Sequence, residues 1–128
     1  MFRTEKPWVR VYRGHVSPET EIYEGSLTDF FRSSIEEHRD KTALTFYGTT
    51  FDFTRIEALS EKMAASLAAR GVKKGDRVAL MLPNCPQYVV SFFATVRLGA
   101  VVTQLNPMYV EREIEHILED SGAETIVV

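Results

Sequence analysis

The sequence has 128 residues, 45% of them hydrophobic and 26% charged, which is the composition of an ordinary soluble globular protein. Disorder, collagen-like repeats and low complexity are excluded. Fifteen Lys and Arg against eighteen Asp and Glu leave a net charge of −3, which speaks against a nucleic-acid binder that works by neutralising phosphates.

A lone cysteine, Cys85, excludes an internal disulfide and any multi-cysteine zinc site, and it fits a reducing cytosol. The apolar run from Tyr88 to Val96 is about half of a membrane span. Arg3, Glu5, Lys6 and Arg10 break up any secretory apolar segment after Met1. A chain of this length buries enough surface to fold without disulfide or metal staples. The expectation is an intracellular, cytoplasmic protein.

Residues 1–25 show no period and read as an extended arm, aromatic and basic (Phe2, Arg3, Lys6, Trp8, Arg10, Tyr12, Arg13), then acidic. Ser26 with Asp29 three residues on has the form of a helix N-cap. Leu27, Phe30, Phe31, Ser34, Ile35 and His38 then follow at helical spacing. Residues 43–47 and 51–53 read as short strands joined by a hairpin at Gly48-Thr49-Thr50. Thr54-Arg55-Ile56-Glu57 is a capping-box pattern that opens a second helix, with Ile56, Leu59, Met63 and Leu67 as its buried stripe. Gly71 ends it.

From there the pattern alternates strand and helix. Residues 77–82 form a strand apolar on both faces, as a covered parallel strand should be. Pro83-Asn84-Cys85-Pro86 breaks the chain, and a helix runs to Leu98, stopped by Gly99. Residues 100–105 make the next strand and Asn106-Pro107 the next break. Val110, Ile114, Ile117 and Leu118 mark a helix ending near Gly122, and residues 124–128 begin a third strand. The fold class is α/β: a partial doubly wound parallel sheet, βαβαβ, preceded by arm, helix, hairpin and helix. The helix over Tyr88–Leu98 is apolar nearly all round and demands cover on every side. That, with the bare apolar strand at the end, points to the front part of a larger protein.

The sites offered by this pattern are few. Ligands of doubly wound sheets sit beyond the carboxyl ends of the strands, but Leu82-Pro83-Asn84-Cys85-Pro86 has no glycine and two prolines without N–H groups. A pyrophosphate cradle there is disfavoured. Gly71-Val72-Lys73-Lys74-Gly75-Asp76 stands between helix and strand, the reverse of the phosphate-loop order, and reads as a cap and a tight turn. Cys85 falls at a helix start, where a thiolate is favoured, yet the residue before a proline prefers extended backbone. It reads better as an N-cap with Pro86 at the first helical position. His15, His38 and His116 are too far apart for metal-ligand spacing, and Glu111, Glu113, Glu115 and Glu119 read as a solvated helix face. No catalytic, cofactor-binding or metal residue is nominated.

Taken as a set, the motifs resemble the opening of an adenylate-forming ligase. They are Lys41-Thr42-Ala43-Leu44, Thr54-x-x-Glu57, Gly71 to Ala79, Met81-Leu82-Pro83-Asn84-Cys85-Pro86-Gln87 and Leu98 to Val102. Asn106-Pro107-Met108-Tyr109-Val110-Glu111-Arg112-Glu113-Ile114, with Lys6-Pro7-Trp8, narrows the resemblance to bacterial long-chain fatty-acid–CoA ligases. The resemblance implies ATP, magnesium and coenzyme A for the parent enzyme, which converts a fatty acid to an acyl-adenylate and then to the thioester. It implies that residues 26–128 are the first part of a large N-terminal domain. The phosphate loop, adenine segment, hinge and catalytic lysine of that family come later, so the segment itself is expected to be inactive scaffold without a cofactor of its own.

Relatives often carry a capping residue where Val110 stands, and Tyr-Pro where this chain has Tyr12-Arg13. The alternative reading is a free-standing α/β interaction or dimerisation module without catalysis. A homodimer through the arm or an apolar face, and peripheral contact with the inner face of the membrane, are left open.

Overall fold

The computed structural model describes residues 22–128 together with Val11. The arm expected over residues 1–25 therefore lies outside the described residues, save Val11 and the stretch from Ile22 to Gly25. The elements are α1 (Leu27–His38), β1 (Thr42–Phe46), β2 (Thr49–Asp52), α2 (Phe53–Ala69), β3 (Arg77–Leu80), α3 (Pro86–Arg97), β4 (Val101–Gln104), α4 (Glu111–Ser121) and β5 (Thr125–Val127).

α1 opens on the expected capping box. The Asp29 amide donates to Ser26 Oγ at 3.1 Å, and the Ser26 amide donates to Asp29 Oδ2 at 3.4 Å. β1 and β2 pair antiparallel with Thr45 opposite Thr50 and Phe46 opposite Thr49. The turn is Tyr47-Gly48, at φ +46° and +79°, rather than the expected Gly48–Thr50. A two-residue loop with both φ positive matches the right-handed twist of the paired strands, so Thr49 and Thr50 are free to enter β2.

The start of α2 is a second correction. Asp52, not the Thr54 of the capping-box pattern, is the N-cap, its Oδ1 accepting from the Arg55 amide at 2.7 Å. Phe53 is consequently the first helical residue and not part of a strand. Aspartate is the stronger cap, and it sits where the hairpin releases the chain. Thr54 Oγ1 donates instead to the Arg39 carbonyl at 3.2 Å.

Helices α2 and α3 leave by the same device. Gly71 (φ +97°) and Gly99 (φ +71°) take the left-handed position that L side chains avoid. Val72 N–H then reaches back to the Leu67 carbonyl, and Ala100 N–H to that of Thr95. Val72 and Ala100 are both buried, so each exit also seals the core.

β3 is the centre of a three-stranded parallel sheet in the order β4-β3-β5, with Val78 opposite both Val102 and Thr125. Val78, Ala79 and Leu80 are wholly buried, as a strand covered on both faces should be. The strands are shorter than the apolar runs suggested, although Met81 N–H still donates to the Val127 carbonyl.

Two clusters form the core. One gathers Ala64, Leu67, Val72, Val78, Leu80, Ala94 and Ala100 between α2, α3 and the sheet, with Phe92 against it. The other gathers Phe31, Ile35 and Ile56 under the hairpin, with Phe93 against it. α3 lies between them, and Phe93 stacks on Phe31 with centroids 3.6 Å apart and planes 9° apart. α3 thus takes part of the cover it demands from α1, α2, the hairpin and the sheet, and Phe92 and Phe93 are half-buried.

Candidate functional site

The carboxyl ends of β3 and β4 open into a groove of about 550 Å³. Its lining includes the amides Asn84, Gln104 and Asn106, the phenols Tyr88 and Tyr109, and the prolines Pro83 and Pro107, with no charged side chain among the described residues. Two breaks in the chain build it. Cys85 is the N-cap of α3, extended at φ −142°, with Pro86 at the first helical position, as the sequence suggested. Asn106 Oδ1 accepts from the Met108 amide at 2.9 Å and the Asn106 carbonyl accepts from Tyr109 N–H at 3.0 Å.

These bonds decide what the groove can hold. Pro83, Pro86 and Pro107 have no N–H to give, those of Met108 and Tyr109 are engaged, and Tyr88 N–H donates to the Cys85 carbonyl at 3.1 Å. A phosphate needs free N–H groups or cations; the described lining holds no cation, and the prolines and engaged amides remove several of its N–H donors. The groove is suited to uncharged polar groups.

Across α3 a second, apolar cleft of about 380 Å³ is lined by Phe51, Leu59, Met63, Leu82 and Val127 among others. Cys85 lies half-buried beside a smaller space under the hairpin, between Leu44, Phe46 and Pro86. Among the described residues no histidine or carboxylate lines that space with it.

At the amino end the glycine–lysine segment is a turn. Asp76 Oδ2 accepts from Lys73 N–H at 2.9 Å, Asp76 N–H donates to the Lys73 carbonyl, and Gly75 takes φ +89° between them. Gly75 N–H donates to the Gly99 carbonyl, and Lys73 and Lys74 stand in solvent. The turn delivers Arg77, which sequence reasoning passed over as a strand residue. Its guanidinium donates to the carbonyls of Ser121 (3.0 Å), Gly122 (2.6 Å) and Gly75 (3.3 Å), holding the C-terminal end of α4. Such a charge at a helix C-terminus also suits the helix dipole.

The remaining candidates stay apart. His15 lies outside the described residues. His38 ends α1 with its Nδ1 buried and unpartnered and its ring against Phe53, whereas His116 is exposed on α4. Among the described residues no three of His, Cys, Asp or Glu come together as metal ligands. Glu111, Glu113, Glu115 and Glu119 are all exposed. No helix among the described residues is long and apolar enough to cross a membrane.

Residues 31–128 match the family of AMP-binding enzymes. The chain belongs to that family. It is 38% identical over 125 residues to the long-chain-fatty-acid–CoA ligase of Bacillus subtilis and 42% identical over 127 residues to that of Escherichia coli O6:H1. These alignments take in 98% and 97% of the chain but 22% of each relative. The chain thus spans about a fifth of the length of the curated relatives it matches.

Among solved structures it resembles the N-terminal subdomain of NpsA from Klebsiella oxytoca, with a TM-score of 0.78 and 25% identity over 81% of this chain and 27% of that one. It also resembles the anthranilate CoA ligase AuaEII in complex with anthranoyl-AMP, with a TM-score of 0.75 and 26% identity over 84% of this chain and 20% of that one. The α/β architecture with its parallel sheet is therefore that of the N-terminal subdomain of adenylate-forming enzymes.

Proposed function

We propose that this chain forms the opening scaffold of the large N-terminal domain of a long-chain fatty-acid–CoA ligase. That enzyme joins a fatty acid to coenzyme A at the expense of ATP, releasing AMP and pyrophosphate through an acyl-adenylate. The observation that carries the reading is the match to ligases of that name along nearly the whole chain.

ATP with Mg²⁺ is the group this reading implies, and the residues present do not fit it. The turns after β3 and β4 hold three prolines, and among the described residues their walls have no cation, whereas a triphosphate in transfer requires cations and aimed N–H donors. No chemical step is therefore assigned to this chain. Its part is to set the sheet and the two core clusters on which a cleft can be built, and by itself it is inactive.

A chimera tests this. The chain replaces the matching first fifth of the Escherichia coli ligase, and thioester formation from a long-chain acid, ATP and coenzyme A is measured. The chimera is expected to make the acyl-CoA, and the 128 residues alone to make none. A folded chimera active only on acids of another class would overturn the substrate reading. Turnover by the chain alone would overturn the scaffold reading.

A further inference from the structure

The lip of the carboxyl-end groove is apolar and stands in water. Met108, Tyr109 and Val110 follow one another in the chain and are 84%, 36% and 63% exposed. Tyr109 lines the groove, so its neighbour Met108 lies at the mouth, on the side of a parallel sheet where ligands enter. The backbone there is pinned. Pro107 fixes its own φ, Asn106 Oδ1 holds the Met108 amide at 2.9 Å, and the Asn106 carbonyl holds that of Tyr109 at 3.0 Å. The two other methionines among the described residues are placed differently. Met63 is half-buried on α2, against the core and in the wall of the apolar cleft, and Met81 is half-buried just beyond β3.

We propose that Met108 is a site of reversible oxidation by a small hydroperoxide, a role independent of the ligase reading. A thioether has no proton to lose, so no neighbouring base is required, and access of the oxidant to Sγ decides the rate. The Sγ lone pair attacks one oxygen of hydrogen peroxide. The O–O bond breaks as the S–O bond forms, and the other oxygen leaves as water, taking both protons. Sulfur gives up two electrons and the peroxide receives them. A polar sulfoxide then stands where a flexible apolar side chain stood. In a core that exchange disrupts packing. At Met108 it falls on a side chain that packs against little, so the fold is kept and the mouth of the groove turns polar. Methionine sulfoxide reductases restore the thioether.

The test is peptide mapping of the full 128-residue chain in dilute hydrogen peroxide, with N-acetylmethionine amide in the same tube. Trypsin puts Met63, Met81 and Met108 on separate peptides, residues 63–70, 78–97 and 98–112, and fragmentation separates Met81 from Cys85 in the second. Peptide 98–112 is expected to gain one oxygen at close to the rate of the free amide, and at least about fivefold faster than Met63 or Met81. Circular dichroism should hold through that step, and methionine sulfoxide reductases should return the peptide to its starting mass. Met108→Leu should abolish the fast event and leave the slow ones as they were. Equal rates at the three sites would overturn the proposal, because oxidation would then follow a general opening of the chain. Slower reaction at Met108 than at Met63 or Met81 would overturn it too, as would loss of dichroism in step with oxidation of Met108.

Discussion

α3 and α4 are the two crossover helices of one parallel sheet, yet they are held in opposite ways. α3 buries Pro86, Ser91, Ala94 and Thr95 and lies between two apolar clusters. α4 has no buried residue, only half-buried Ile114, Ile117 and Leu118 under a strongly acidic outer face. The sheet repeats the contrast. Val78 and Leu80 point into the α2–α3 core, while Arg77 and Ala79, which alternate with them, point to the opposite face. On that face Val101, beside Arg77, is 51% exposed, and Ile126, beside Ala79, is 40% exposed. One face is therefore sealed by packing. The other is covered at Ala79 but partly open at Val101 and Ile126, and there Arg77 adds a polar tie to the end of α4.

The largest expected effect breaks the packed side. Phe31→Ala removes a buried ring stacked on Phe93 and leaves a hole that α1, α3 and the hairpin share. The expected loss is about 3–5 kcal/mol by chemical denaturation, against about 1 kcal/mol for the half-buried Ile117→Ala on α4. Equal losses would mean that α4 carries as much packing as α3, and the contrast would fail.

Arg77→Met cuts the polar tie while keeping the aliphatic stem. Three carbonyls lose a charged donor, and an expected cost of about 2 kcal/mol follows. The measurement that locates it is amide exchange: α4 and β5 should exchange faster while α3 keeps its protection. Uniform acceleration along the chain would show that both faces open as one unit.

How much of this was legible in the sequence follows the same division. Elements set by local chemistry could be read directly: the Ser26–Asp29 box, the Cys85-Pro86 helix start, the glycine exits and the three parallel strands. The hairpin turn and the cap of α2 were misplaced by one or two residues. There the deciding terms are the twist of paired strands and competition between Asp52 and Thr54, which no local pattern weighs. The cover of α3 and the role of Arg77 could not be read at all. Both join residues far apart in the chain, Phe31 with Phe93 and Arg77 with Gly122, and an arginine opening an apolar strand gives no hint of which carbonyls it will meet. For the carboxyl-end groove, the prolines were legible as missing donors. That Asn106 engages the Met108 and Tyr109 amides came only from geometry.

Caps offer smaller and finer tests. Val110 is the N-cap of α4 at φ −83° and has no side-chain acceptor, so only the Glu113 half of the box is made, Oε2 accepting from Val110 N–H at 2.9 Å. Val110→Thr supplies the missing half and should stabilise the chain by about 1 kcal/mol. Because the helix it caps is held weakly, the gain should appear as slower amide exchange in the first turns of α4. Chemical denaturation showing no gain would place the start of α4 elsewhere.

The smallest effect expected is one of pH, and it separates α1 from α3. The Ser26 hydroxyl bond to Asp29, then the Ser26 backbone N–H and the nearby Arg32, hold the Asp29 carboxyl below its ordinary value of 3.8. A carboxyl whose folded value is depressed stabilises in its ionised form. Its contribution is complete above the ordinary value and is lost as pH falls through the lower, folded one. Acid should therefore fray the first turn of α1, seen as faster exchange relative to intrinsic rates at the amides of residues 29–31, and nothing should change near neutrality. Asp29→Asn should remove that acid step. α3 supplies the control, since Cys85 and Pro86 cap it without a carboxylate, and its first turn should show no matching step. If both helix starts loosen together in acid, the cause is loss of the shared Phe31–Phe93 contact and not the cap.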